Sequence, residues 1–143
     1  MRATFNKLHD TGTLPKPEDG SPPKQLALAS AGWGLIPNPP NAPHPDYLET
    51  LMEIGMQIAP KSQCKSNVPY VDEYETFCTD NAQGALCGGD SGGGLQFLIP
   101  DRSKLVVYGV LSTGPENCKG EVDVFALTAT KLTRINEVMA VHP

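Results

Sequence analysis

The chain has 143 residues and a net charge of −5, enough length for one domain with its own core. No basic cluster stands out, which argues against a nucleic-acid partner. No stretch is long and apolar enough to span a bilayer, so no membrane partner is expected, and Met1 and Arg2 open a polar segment that lacks the apolar core of a signal peptide. Glycine and proline number 14 each, and long apolar periods are few, which favours a β protein with many turns.

Residues 1–24 are polar and proline-rich and read as an extended strap or linker; residues 25–143 read as the folded domain. In "QLALASAGWG", Leu26 and Leu28 alternate with small residues, a strand that ends at a Gly-Trp-Gly turn. The prolines of "LIPNPPNAPHP" forbid helix and sheet interior, so this is a loop. In "LMEIGMQIAP", Met52, Ile54, Met56 and Ile58 share one face at period two, the mark of a half-buried strand. Residues 65–76 are polar and can hold a helical turn.

"GLQFLIP" and "KLVVYGVLS" are two more strands, joined through "DRSK" as a short hairpin. "VDVFALT" is another strand. In "ATKLTRINEVMAV", Leu132, Ile135, Val138 and Met139 recur at helical spacing and predict a C-terminal amphipathic helix. The pattern is antiparallel β with one terminal helix.

The four cysteines, Cys64, Cys78, Cys87 and Cys118, are separated by 13, 8 and 30 residues, which does not supply the short paired spacings of a zinc site. Two disulfides, with three possible pairings, are the better reading and point to an oxidising compartment. The competing reading is four buried free thiols. No metal and no cofactor are expected.

The chemistry concentrates in "CGGDSGGGLQF", residues 87–97, where Ser91 lies between an aspartate and a run of glycines. The segment fits G-x-S-x-G, the nucleophile elbow of an α/β-hydrolase, but that elbow needs a strand before the serine and a helix after it. "TDNAQGALCG" does not read as a core strand, and three consecutive glycines cannot start a good helix. Of the three histidines, only His142 follows the serine. The remaining bland reading is a glycine-rich turn with an incidental serine.

"CGGDSGGGL" resembles the active-serine segment of the chymotrypsin/trypsin-like serine endopeptidases. "AGWG" at 31–34 resembles that family's Gly-Trp-Gly strand end. "YGVLSTG" at 108–114 resembles its substrate-binding strand, and "VFALTATKLTRI" at 124–135 its closing strand and helix. Order and spacing agree over residues 26–138. The resemblance implies an antiparallel β-barrel, the second of the family's two, with a C-terminal helix. It implies the pairs Cys64–Cys78 and Cys87–Cys118, and with them a secreted, extracellular protein.

It also implies roles. Ser91 would be the nucleophile, with Gly89 and Ser91 offering backbone N–H groups to an oxyanion. Asp90 would order that turn by pairing with the amine of a freshly cut N-terminus. Ala85, Leu86 and Gly88 would line the pocket for the P1 side chain, the substrate residue before the scissile bond. Gly114 would line one wall and Asp123 the opposite one. Ser112, Thr113 and Gly114 would bind the substrate backbone as an added strand. An alanine at the pocket base suggests a small or apolar P1 residue. Asp123, where the family usually has glycine, would favour Lys or Arg if its carboxylate points inward. Pointing outward, it would be an ordinary solvated charge.

Several family features are missing. His9 lies in the strap, His44 in a proline loop and His142 at the tail, and all three read as surface histidines, so no base for Ser91 is found. The cut N-terminus is absent, and so are a cysteine before the Gly-Trp-Gly turn and its mate after the serine. Gly94 replaces the usual proline and Thr113 the usual tryptophan. The expected function is therefore serine-type peptide-bond hydrolysis through an acyl-enzyme on Ser91, carried by the C-terminal half and inactive alone. The chain reads as truncated. A protein or peptide would be the substrate, and the missing barrel or another protein the partner. The alternative is a non-catalytic homologue that binds peptides.

Overall fold

A computed structural model describes residues 28–35, 49–72, 74–82, 84–99, 104–115 and 118–141. The strap at 1–24, the "DRSK" connection through residue 103, and all three histidines lie outside the described residues.

Six strands form a closed barrel. They are β1 (Leu28–Gly32), β2 (Met52–Ile58), β3 (Thr76–Asp80), β4 (Gly94–Ile99), β5 (Lys104–Thr113) and β6 (Val122–Leu127). Their order around the barrel is β1-β2-β3-β6-β5-β4, and every neighbouring pair is antiparallel. Pairing of β1 with β4, Leu28 opposite Phe97, closes the ring, so the barrel itself leaves no open sheet edge. A short helix α1 (Lys61–Asn67) precedes β3, and a single 3-10 turn (Thr128–Lys131) leads into helix α2 (Leu132–Val141).

Alternation fills the interior. Leu28, Met56, Leu95, Phe97, Val106, Tyr108, Leu111 and Phe125 point inward with Leu86 from the loop before Ser91. Each large apolar side chain so buried contributes about 1.5–3 kcal/mol. The rings of Phe77 and Phe125 stack with centroids 5.5 Å apart, and Phe77 meets Tyr108 tilted at 4.9 Å. Burial pushes the Tyr108 hydroxyl up to about 12.

A second cluster of Ala59, Cys64, Cys78, Val122 and Val124 joins α1 to β3 and β6. Its centre is the disulfide Cys64–Cys78, with Cα atoms 5.5 Å apart; Cys87–Cys118 is the other, at 5.1 Å. Both separations are ordinary for disulfides. No cysteine is free, which removes the free-thiol reading.

Four local readings are refined. The possible helical turn in residues 65–76 is the end of α1, which starts earlier, at Lys61, and whose one buried side chain is Cys64. The disulfide supplies the tertiary hold that a helix this short lacks in its sequence. β3 was not read at all, because only Phe77 marks it as apolar; its pairing with β6 is what holds it. In β2 only Met56 is fully buried, while Met52 and Ile58 at its ends stay exposed. Helix α2 has no buried residue, and Val138, Met139 and Val141 face solvent.

Candidate functional site

Ser91 stands on a loop that runs from the end of β3 to the start of β4. Its local geometry follows from a chain of amide hydrogen bonds. Asp90 N–H donates to Cys87 O (3.0 Å), Gly93 N–H to Asp90 O (2.9 Å), and Gly92 N–H to Leu111 O (3.0 Å). Leu111 N–H returns to Gly93 O at 2.8 Å, tying the turn to β5. The amides of Asp90, Gly92 and Gly93 are thus spent inside the fold. Those of Gly89 and Ser91, on either side of Asp90, have no acceptor among the described residues. Gly89 has φ +98°, in the left-handed range that glycine enters freely, and Gly89 and Ser91 are both exposed.

Asp90 is the anchor beneath this turn. Its Oδ1 accepts from Gly34 N–H (2.8 Å) and its Oδ2 from Cys87 N–H (2.9 Å). The Gly-Trp-Gly turn, read from sequence as a strand end, is the other half of this clasp. A Cβ on Gly32 or on Gly34 would collide with the Asp90 carboxylate. Leu35 N–H adds a bond to Gly88 O at 2.8 Å. Sequence reasoning named Asp90 but not Gly34 as its partner; two glycines flanking one tryptophan were the available signal of a close backbone approach.

Asp123 lies on β6 and is completely buried. The outward, solvated orientation is therefore not the one adopted. Leu86 N–H donates to its Oδ2 at 3.0 Å. Its Oδ1 has no hydrogen-bond partner and faces Gly114, where a Cβ would come within 2.7 Å of it. Burial raises the Asp123 pKa above the ordinary 3.8. The Leu86 N–H and the neighbouring Asn81 side chain pull it back down, and the charge of Asp90 raises it further. Thr79, opposite Asp123 on β3, is also fully buried. Its hydroxyl and both polar atoms of the Asn81 side chain lack good hydrogen bonds. Buried polar atoms normally find partners; of the five without one among the described residues, four fall in this group and the fifth is the Thr128 hydroxyl. Neither Thr79 nor Asn81 was named from sequence, since their nearness depends on the β3–β6 register.

Of the other expected site residues, Leu86 and Gly114 meet Asp123. Ala85 is half-buried beside buried Leu86, and Gly88 is exposed. Ser112, Thr113 and Gly114 are exposed at the end of β5. The ladder to β6 skips there from Leu111–Phe125 to Thr113–Val124, making Ser112 the extra residue of a bulge. On its other side β5 pairs with β4 only as far as Val110–Gly94, so residues 112–114 run past their neighbour with one edge open among the described residues. The disulfide Cys87–Cys118 ties the serine loop to the segment beyond Gly114. Among the described residues no group of acids, histidines and cysteines could hold a metal ion, and no helix is long and apolar enough to cross a membrane.

A family model described as Trypsin matches residues 2–137 of this sequence. No curated protein matches it.

Proposed function

The chain belongs to the trypsin family of serine proteases, and we propose that Ser91 is its nucleophile, working in peptide-bond hydrolysis only when a histidine- and aspartate-bearing half is supplied by another polypeptide segment. The observation that carries this reading is the pair of unspent amides at Gly89 and Ser91, flanking Asp90 beside an exposed serine, on a turn whose Asp90, Gly92 and Gly93 amides are bonded within the fold. Such donors stabilise the oxyanion of an acyl-transfer intermediate without having to reorganise. A substrate carbonyl would be attacked by Ser91 Oγ while the external histidine takes the hydroxyl proton and later gives it to the leaving amine. The open edge at 112–114 would hold the substrate backbone as an added strand. Asp123, turned inward between Leu86 and Gly114, supports a P1 residue with a cationic side chain.

The partner half would cover the apolar side chains now in water, among them Trp33, Met52, Val138 and Met139. Two disulfides support a secreted protein. The test is reconstitution. The oxidised chain should hydrolyse fluorogenic peptides only after mixing with a first barrel of a trypsin-family protease. Ser91→Ala should then lose on the order of 10⁴-fold or more of that activity. Equal hydrolysis by the Ser91→Ala mixture sinks the proposal.

The same open edge favours a second reading, a non-catalytic module that binds extended peptides at 112–114. Sedimentation velocity over a dilution series separates the two. Self-association, or solubility only with the partner half, fits the protease half. A concentration-independent monomer that binds peptides without cleaving them fits the module.

A further inference from the structure

The two most exposed large hydrophobic side chains among the described residues are tyrosines close together in sequence, Tyr70 at 83% and Tyr74 at 88% exposure. A surface tyrosine usually lays its ring on a neighbour and leaves only the hydroxyl wet. Here almost the whole of each ring is in water, and neither hydroxyl is bonded among the described residues. Both lie between α1 and β3, in the loop closed by the Cys64–Cys78 disulfide, far in sequence from the serine turn.

Local bonding fixes how Tyr74 is presented. Asp72 Oδ1 accepts from Tyr74 N–H at 2.8 Å, and Asp72 O accepts from Thr76 N–H at 2.9 Å and from Glu75 N–H at 3.2 Å. The backbone around Tyr74 is therefore a tight turn with its ring outward. Glu75 forms an exposed ion pair with Lys131 at 2.6 Å, with 53% of its side chain still in water. The stretch "PYVDEYETFCT" contains no Lys, Arg or His, and three carboxylates, Asp72, Glu73 and Glu75, fall within two positions of Tyr74.

We propose that Tyr74 is a sulfation site, its phenol esterified by a basic-grooved sulfotransferase of the secretory route. An anionic donor is repelled by so acidic an acceptor unless the enzyme itself is strongly positive and reads those carboxylates, so the acidic flank selects that class of transferase. The disulfides place the folded chain in an oxidising compartment rather than beside cytosolic tyrosine kinases. The Tyr74 phenol oxygen attacks the sulfur of a nucleotide-activated sulfate, a mixed phosphate–sulfate anhydride. An O–S bond to Tyr74 forms as the anhydride O–S bond breaks. The nucleotide phosphate leaves with that electron pair, the phenolic proton passes to a base of the transferase, and no electrons are transferred. The product carries a permanent negative charge in an already acidic loop, a docking point for a basic partner surface. None of this depends on Ser91 or on the protease reading.

The test uses the full chain secreted from animal cells, with peptide mass mapping, and in parallel the purified oxidised chain incubated with a tyrosylprotein sulfotransferase and radiolabelled activated sulfate. The expected result is the mass of one sulfuryl group on Tyr74 in most chains. It should resist phosphatase and vanish with chlorate, which blocks sulfate activation. Tyr74→Phe should abolish it, Tyr70→Phe should leave it, and Glu73→Gln with Glu75→Gln should remove most of it. The purified chain should take up label at Tyr74. An unmodified Tyr74 in the secreted chain, a group removed by phosphatase, modification indifferent to the two glutamate changes, or no label on the purified chain overturns the proposal.

Discussion

Asp90 and Asp123 receive the amides of consecutive residues: Cys87 N–H goes to Asp90 and Leu86 N–H to Asp123. There the likeness ends. Asp90 has both oxygens bonded, the second by Gly34, and sits in a clasp that only glycines can form. Asp123 is entirely buried, with one oxygen bonded and the other facing Gly114 unpartnered. A fully satisfied carboxylate is a structural fastener, and here it fastens the serine turn. A buried carboxylate left half-satisfied is costly, and such a residue is kept where something else completes it. The two acids thus divide the candidate site into a finished half that shapes the turn and an unfinished half beside Gly114.

The largest expected effect strikes both halves at once. The Cys87–Cys118 bridge holds the dipeptide whose amides feed the two acids, so Cys87→Ser with Cys118→Ser should cost about 2–5 kcal/mol in denaturant unfolding. A loss as small as that of an exposed serine pair would mean that the loop is held without the bridge.

A change confined to Asp90 comes next. Gly34→Val places its Cβ against the carboxylate and should cost about 1–3 kcal/mol, with faster amide exchange across residues 88–93. Gly55→Ala is the control, because a Cβ there meets nothing within 4 Å. Equal stability of the two variants would remove the clasp.

The smallest effect isolates Asp123. In the unfolded chain this acid ionises near 3.8, while burial in the fold raises its pKa. As pH climbs past the ordinary value, the unfolded state ionises first, so wild-type stability should fall relative to Asp123→Asn. The difference should level off above the folded pKa. Its slope cannot exceed about 1.4 kcal/mol per pH unit. Parallel stability–pH curves would mean that Asp123 is as well solvated in the fold as outside it.

Much of the barrel was legible because β1, β4, β5 and β6 carry apolar or small side chains at period two or in runs bounded by turns. β3 and α1 were not, because a single phenylalanine and a single buried cysteine mark them, and what stabilises them is a partner distant in sequence. The site divides the same way. Ser91, Gly89 and Asp90 lie in one contiguous segment whose glycines signal close backbone approach. The Gly34–Asp90 contact spans 56 residues, and the Thr79–Asn81–Asp123 grouping needs the β3–β6 register, which no local pattern encodes.

The central claim, that Ser91 is presented as a nucleophile whose base lies elsewhere, is tested most directly by the rate at which a fluorophosphonate labels it. The oxidised 143-residue chain should react at Ser91 barely faster than a free serine, and on the order of 10⁴-fold faster once a histidine-bearing first barrel is bound. Rapid stoichiometric labelling of Ser91 in the chain alone would contradict the account, since it would require a base among the chain's own residues.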